Sequence, residues 1–121
     1  MSDNTQFDVL SGQQIPFSAE AEQSVLGAIL IDPQSIDTVN TILQSDYFYL
    51  PQHKAIFSVM QDMCTKGDPI DAVTVLESLK KDGVYDDAGG KSYLMQLAQS
   101  VPSSANIASY ANIVRDKYIA R

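Results

Sequence analysis

Gly90-Lys91-Ser92 copies the last three residues of a phosphate-binding loop, G-x-x-x-x-G-K-[ST], whose backbone amides and lysine would hold a triphosphate. The copy is incomplete. The first glycine of the pattern belongs five residues before Gly90, where Tyr85 stands. A phosphate loop also follows a buried strand, and residues 82–88, DGVYDDA, offer none. Asp82, Asp86 and Asp87 would repel a polyphosphate. His53 is the single histidine and Cys64 the single cysteine, eleven residues apart, about three helical turns. Metal sites need several ligands at close spacing, and no H-x-x-x-H or C-x-x-C exists here. His53 is expected to be structural or partly exposed at a helix start, and Cys64 to be a small apolar filler. Asp68 and Asp71 flank Pro69-Ile70, and paired carboxylates can move protons. Their setting matches turn and cap chemistry better. Tyr47, Phe48 and Tyr49 could stack on bases, but Asp46 and Leu50 beside them supply no phosphate contact. No complete catalytic, cofactor or metal site is expected in this chain.

The elements that position these residues are helices. Ser18 is a good N-cap for a helix over about 19–31, with Glu20 and Glu22 complementing the helix dipole. Gly27 costs that helix roughly 1 kcal/mol against Ala, and a glycine there would let another backbone come close. Asp32-Pro33 ends it and starts a second helix, about 33–44, with Asp32 as N-cap. Asp46–Tyr49 form an aromatic joint, and Pro51 opens a third helix over about 51–66, ended by Lys66-Gly67. Asp71 caps a fourth, about 72–82, lined by Val73, Leu76 and Leu79. A fifth covers about 90–99 with Tyr93, Leu94 and Leu97 in register. A sixth begins near Ser104 and carries Ile107, Tyr110, Ala111, Val114 and Tyr118 on one face. No convincing strand appears. The fold class is all-α, a compact bundle of about six helices.

At 121 residues the chain makes one domain. Its lone cysteine excludes an internal disulfide framework and fits a reducing compartment. No apolar run approaches the ~18 residues of a membrane span, and no signal peptide is visible, so a cytoplasmic protein is expected. The net charge of −7 argues against direct DNA binding. Arg115, Lys117 and Arg121 against Asp116 leave the last seven residues at +2, so the rest carries −9. An acidic body with a more basic last helix suits a protein partner, or solubility alone.

Five segments in order carry a resemblance: PFSAEAEQSVLGAIL at 16–30, DYFYLPQHKAIF at 46–57, KGDPID at 66–71, AGGKSYL at 88–94 and VPSSANIASYANIVRDK at 101–117. Together they resemble the N-terminal domain of the bacterial replicative DNA helicase, the DnaB type. Residues 1–15 are polar and lack a sustained period, which reads as a flexible arm; the resemblance implies a globular helical domain at 16–102, and at 103–121 the first helix of a helical hairpin cut short. It implies a parent that is a hexameric ring unwinding duplex DNA with ATP and Mg in a C-terminal RecA-like motor, which these residues do not include. DNA would be gripped by that motor. The N-terminal domains would form a collar, often a trimer of dimers made through the hairpins, on which the primase C-terminal domain docks. The face of Ile107, Tyr110, Ala111, Val114 and Tyr118 is the candidate for self-association, unless it packs back onto helices one to five. Other readings are the related helicase-binding domain of a primase, a stand-alone helical interaction module, and an enzyme with an unseen site.

Overall fold

The protein is described by a computed structural model covering residues 7, 8 and 13–121, with side chains from Ile15 onward except Asp87 and Ala88. Among the described residues six α-helices carry it: α1 (Ala19–Ile31), α2 (Ile36–Asn40), α3 (Pro51–Lys66), α4 (Ala72–Lys81), α5 (Asp87–Ala98) and α6 (Ile107–Ala120). The expected arm at 1–15 lies mostly outside the described residues. Within it, Phe7–Asp8 pair antiparallel with Gln13–Gln14.

α1 is the central element, packed against α5, α6 and α3. Its start is the serine cap, Ala21 N–H donating to Ser18 Oγ at 3.1 Å. Val25, Leu26, Ala28 and Ile29 are sealed from water. Gly27 is where the helices come closest: a Cβ there would strike the backbone carbonyl oxygen of Leu97 at the end of α5 and lie 2.7 Å from Ser100 Oγ. The glycine that weakens α1 as an isolated helix is what lets α5 lie against it.

The second helix departs from expectation. Residues 33–44 do not form one helix. Pro33–Ser35 make a 3₁₀ turn, α2 ends at Asn40, and Asp32 makes no side-chain cap bond. Thr41 Oγ1 donates back to the Thr38 carbonyl at 2.7 Å, and the amides of Thr41 and Ile42 tighten to the Thr38 and Val39 carbonyls three residues back. Such side-chain bonds compete with the helix ladder around Asn and Thr, poor helix formers. The Asp32 carboxylate instead accepts from Ser104 Oγ at 2.7 Å, tying the end of α1 to the turn before α6.

α3 runs as the proline and glycine signals require, with Gly67 in the left-handed region at φ 76°. α4 opens on a capping box: Asp71 accepts from Thr74 N–H at 2.9 Å while Asp71 N–H donates to Thr74 Oγ1 at 3.1 Å. Its inward face is Val75, Leu76 and Leu79. Val73, expected inside, is 71% exposed, because it lies roughly 115° around the helix from the middle of that face, on the side of the exposed Glu77 one turn on. α5 begins three residues earlier than expected. Asp86 caps it by accepting from Gly89 N–H at 2.8 Å, so the two glycines lie in its first turns. A Cβ on Gly90 would sit 2.5 Å from Leu76 Cδ1 and 2.8 Å from Tyr85 Cβ, a close approach to α4. α6 starts at Ile107, after the expected Ser104.

Candidate functional site

The residues with chemical potential that the fold brings together come from four segments distant in sequence. Glu22 and Gln23 lie in the first turn of α1, Tyr49 and Leu50 at the end of the aromatic joint, His53 in the first turn of α3, and Tyr93 mid-way along α5. Glu22 and His53 are each 1% exposed. Glu22 Oε1 lies 2.7 Å from His53 Nδ1, and its Oε2 accepts from Tyr49 N–H at 2.7 Å. Leu50 N–H reaches Oε1 at 3.4 Å. On the other edge of the ring, His53 Nε2 is 2.5 Å from Tyr93 Oη. Gln23 Nε2 points at the same phenol oxygen at 3.5 Å. Phe48 meets His53 edge-on at 6.5 Å between ring centres, and the Tyr93 ring lies nearly parallel to it, at 11°, with centres 5.9 Å apart.

An ionised carboxylate only accepts, so the proton on His53 Nδ1 points at Glu22. Tyr93 O–H can then donate to Nε2 while its oxygen receives Gln23. Both carboxylate oxygens of Glu22 and both ring nitrogens of His53 have a partner in this arrangement. Burial holds the Tyr93 phenol above its ordinary range; the Gln23 hydrogen bond opposes the rise and the Glu22 charge adds to it.

Carboxylate, imidazole and hydroxyl in series are the order of a nucleophile triad. Here the order does not make a nucleophile. The hydroxyl is a phenol kept in its protonated form by burial, and its oxygen faces the histidine. Two surface clefts open away from Glu22, His53 and Tyr93, one between α3 and α4 beside Asp62, Lys66 and Ser78, another between α4 and α5 over Ala72, Leu76 and Met95. The network is a polar staple that pins α1, the joint, α3 and α5 to one another. Buried polar groups that are fully paired hold such segments in a single register.

The other candidates separate. Gly90, Lys91 and Ser92 lie inside α5, and the amide-rich start of that helix is occupied by its own Asp86 carboxylate. These residues do not fit a nucleotide phosphate. Among the described residues no group of three or more His, Cys, Asp or Glu could hold a metal ion. Cys64 is half-buried at the edge of the core. Tyr47 and Tyr49 pack on Tyr118 and Phe17 rather than presenting free faces. Of the proposed association face, Ile107, Ala111 and Val114 are buried in the chain's own core, Tyr110 is half-buried and Tyr118 is 36% exposed. The apolar side chains α6 does expose, Ile113 and Ile119, were not singled out by the helical stripe.

Sequence reasoning read Glu22 only as a dipole complement and left His53 without a partner. The three side chains lie 31 and 40 positions apart along the chain, and no local pattern links them.

Fold and staple together define a helical packing module whose polar chemistry is directed inward. The family model described as DnaB-like helicase N terminal domain matches residues 14–116, and the chain belongs to that family. It is 46% identical over 106 residues to "Replicative DNA helicase DnaB" of Pasteurella multocida, covering 88% of this chain and 23% of that protein. It is 40% identical over 114 residues to "Replicative DNA helicase DnaC" of Bacillus subtilis, covering 94% and 25%. The chain thus spans about a quarter of the length of these relatives. The crystal structure of the N-terminal domain of DnaB helicase from Mycobacterium tuberculosis superposes with a TM-score of 0.85 at 39% identity, over 89% of this chain and 75% of that one. No helix among the described residues is long and apolar enough to cross a membrane.

Proposed function

We propose that the chain is the collar module of a hexameric replicative DNA helicase, serving subunit association and the docking of the primase C-terminal domain. ATP hydrolysis, Mg binding and the grip on DNA belong, in this reading, to a motor domain elsewhere in the parent protein. The net charge of −7 accords with a module that binds proteins and leaves phosphate contacts to other residues. Residues 103–121 would begin the helical hairpin through which collar domains pair. Relatives named as replicative helicases favour this reading over a primase's helicase-binding domain.

The observation that carries the association half is the outer face of α6. Ile113 is 42% exposed and Ile119 71%, both around the helix from the buried stripe of Ile107, Ala111 and Val114. Exposed apolar side chains grouped on one element favour a protein contact. Light scattering at rising concentration tests it. The mass is expected to climb above the 13.2 kDa of one chain, and Ile113→Glu or Ile119→Glu to hold it down. Val114→Glu should act differently, lowering the melting temperature, because Val114 is in the core. A wild-type mass fixed at 13.2 kDa, indistinguishable from the variants, would refute the association reading.

A further inference from the structure

The last residue of α6's run makes more long-range contacts than any motif in the sequence suggested. Arg121 Nη1 donates to the Pro16 carbonyl at 3.0 Å and Nη2 to the Tyr47 carbonyl at 2.7 Å. Its guanidinium carbon lies 5.1 Å from the centre of the Tyr49 ring and 5.8 Å from that of Tyr118. Both distances are within the ~6 Å over which a cation is drawn to a ring face. The rings are themselves paired: Tyr47 stacks on Tyr118 at 4.2 Å and 10°, and Phe17 on Tyr49 at 4.3 Å and 25°. Three segments far apart in the chain, at 16–17, 47–49 and 118–121, therefore meet around one side chain.

That meeting matters because nothing in the core reaches so far along α6. Val114 is the last buried residue of the helix, and residues 116–121 are all exposed. A helix end without packing frays. From Val114 to Arg121 the helix advances about 10 Å at 1.5 Å per residue. Only the tyrosine stack and the guanidinium contacts tie that length to the body among the interactions described.

We propose that Arg121 is a clasp that fixes the direction in which α6 leaves the body, by bridging the carbonyls of Pro16 and Tyr47 between the rings of Tyr49 and Tyr118. The role suits arginine. Its planar fork can donate to two carbonyls while its faces meet aromatic rings; a lysine is a single point charge and cannot do both. In any longer protein that continues past this point, the clasp sets the angle at which the following segment departs. The inference concerns the chain's own geometry and stands apart from the partner reading above.

Backbone amide exchange followed by NMR tests it on this chain. In Arg121→Ala, amides of residues 116–120 are expected to exchange about tenfold faster, as a frayed end should, with α1 and α3 amides unchanged. Arg121→Lys should fall between wild type and Arg121→Ala. Residual dipolar couplings of the 116–120 amides should fit the orientation of α1–α5 in wild type and shrink in Arg121→Ala. Unchanged exchange in Arg121→Ala would overturn the proposal. So would an equal acceleration in α1 and α3, which would make Arg121 a contributor to global stability alone. Arg121→Lys behaving as wild type would overturn the two-carbonyl fork.

Discussion

Glu22 sits in the first turn of α1, where its charge favours the helix whether or not it touches anything else. The structure gives it a second task, accepting from the joint's backbone and from His53 in a site closed to water. A carboxylate at a helix start is legible from sequence. Its burial is not, because burial depends on α3 and α5 arriving from 31 or more residues away. Tyr93 offers the most direct check at this scale. Its phenol is raised above the ordinary value of about 10, first by burial. A proton held more tightly in the folded chain than in the unfolded one stabilises the fold fully below about pH 10, and that stability is lost as pH rises through the folded value. Thermal melts from about pH 9 upward should therefore show a decline that sets in near pH 10, and Tyr93→Phe should flatten it. Tyr85, also raised by burial, contributes to the part that remains. An alkaline slope identical in wild type and Tyr93→Phe would show that the phenol's burial does not govern it. At neutral pH the same variant should lose about 1–3 kcal/mol, because Nε2 of His53 loses its partner.

Helices α1 and α3 were readable because their ends are written in single residues: Ser18, Pro51 and Gly67 each do at the backbone what their chemistry favours. α2 and α5 were not. In α2 the side-chain bond of Thr41 stops a stripe that periodicity alone would extend. In α5 the glycine pair looked like a loop, yet the close approach to Leu76 and Tyr85 selects glycine within the helix. Gly27 shows the same conflict and can be measured. Helix propensity alone says that Gly27→Ala should stabilise by about 1 kcal/mol. The added methyl would meet a backbone carbonyl, which cannot rotate aside, and overpacking of this kind costs typically about 1–3 kcal/mol. The clash is expected to win, with a fall in melting temperature of a few degrees, on the order of 3–8 °C. A melting temperature equal to or above wild type would mean that α1 and α5 are less tightly joined than described. The stripe on α6 is periodic as expected, and its Ile107, Ala111 and Val114 are buried in the chain's own core, while Ile113 and Ile119 are exposed around the helix from them.

For the molecule as a whole, the order of helices, the acidic body and the basic end of α6 were all legible, and the all-α class followed from them. The family the chain belongs to was legible only through the five matching segments, since the triad-like cluster is a staple and the phosphate-loop fragment is the inside of a helix. The core is closed by the chain's own helices, α6 included. The central claim is that this surface serves docking. Titration calorimetry of the primase C-terminal domain into this chain tests it most directly. Saturable binding at a stoichiometry of one domain per chain, or one per associated pair, is the expected result. No measurable binding with both proteins at about 0.1 mM, a concentration that would reveal a Kd up to about 1 mM, would contradict it.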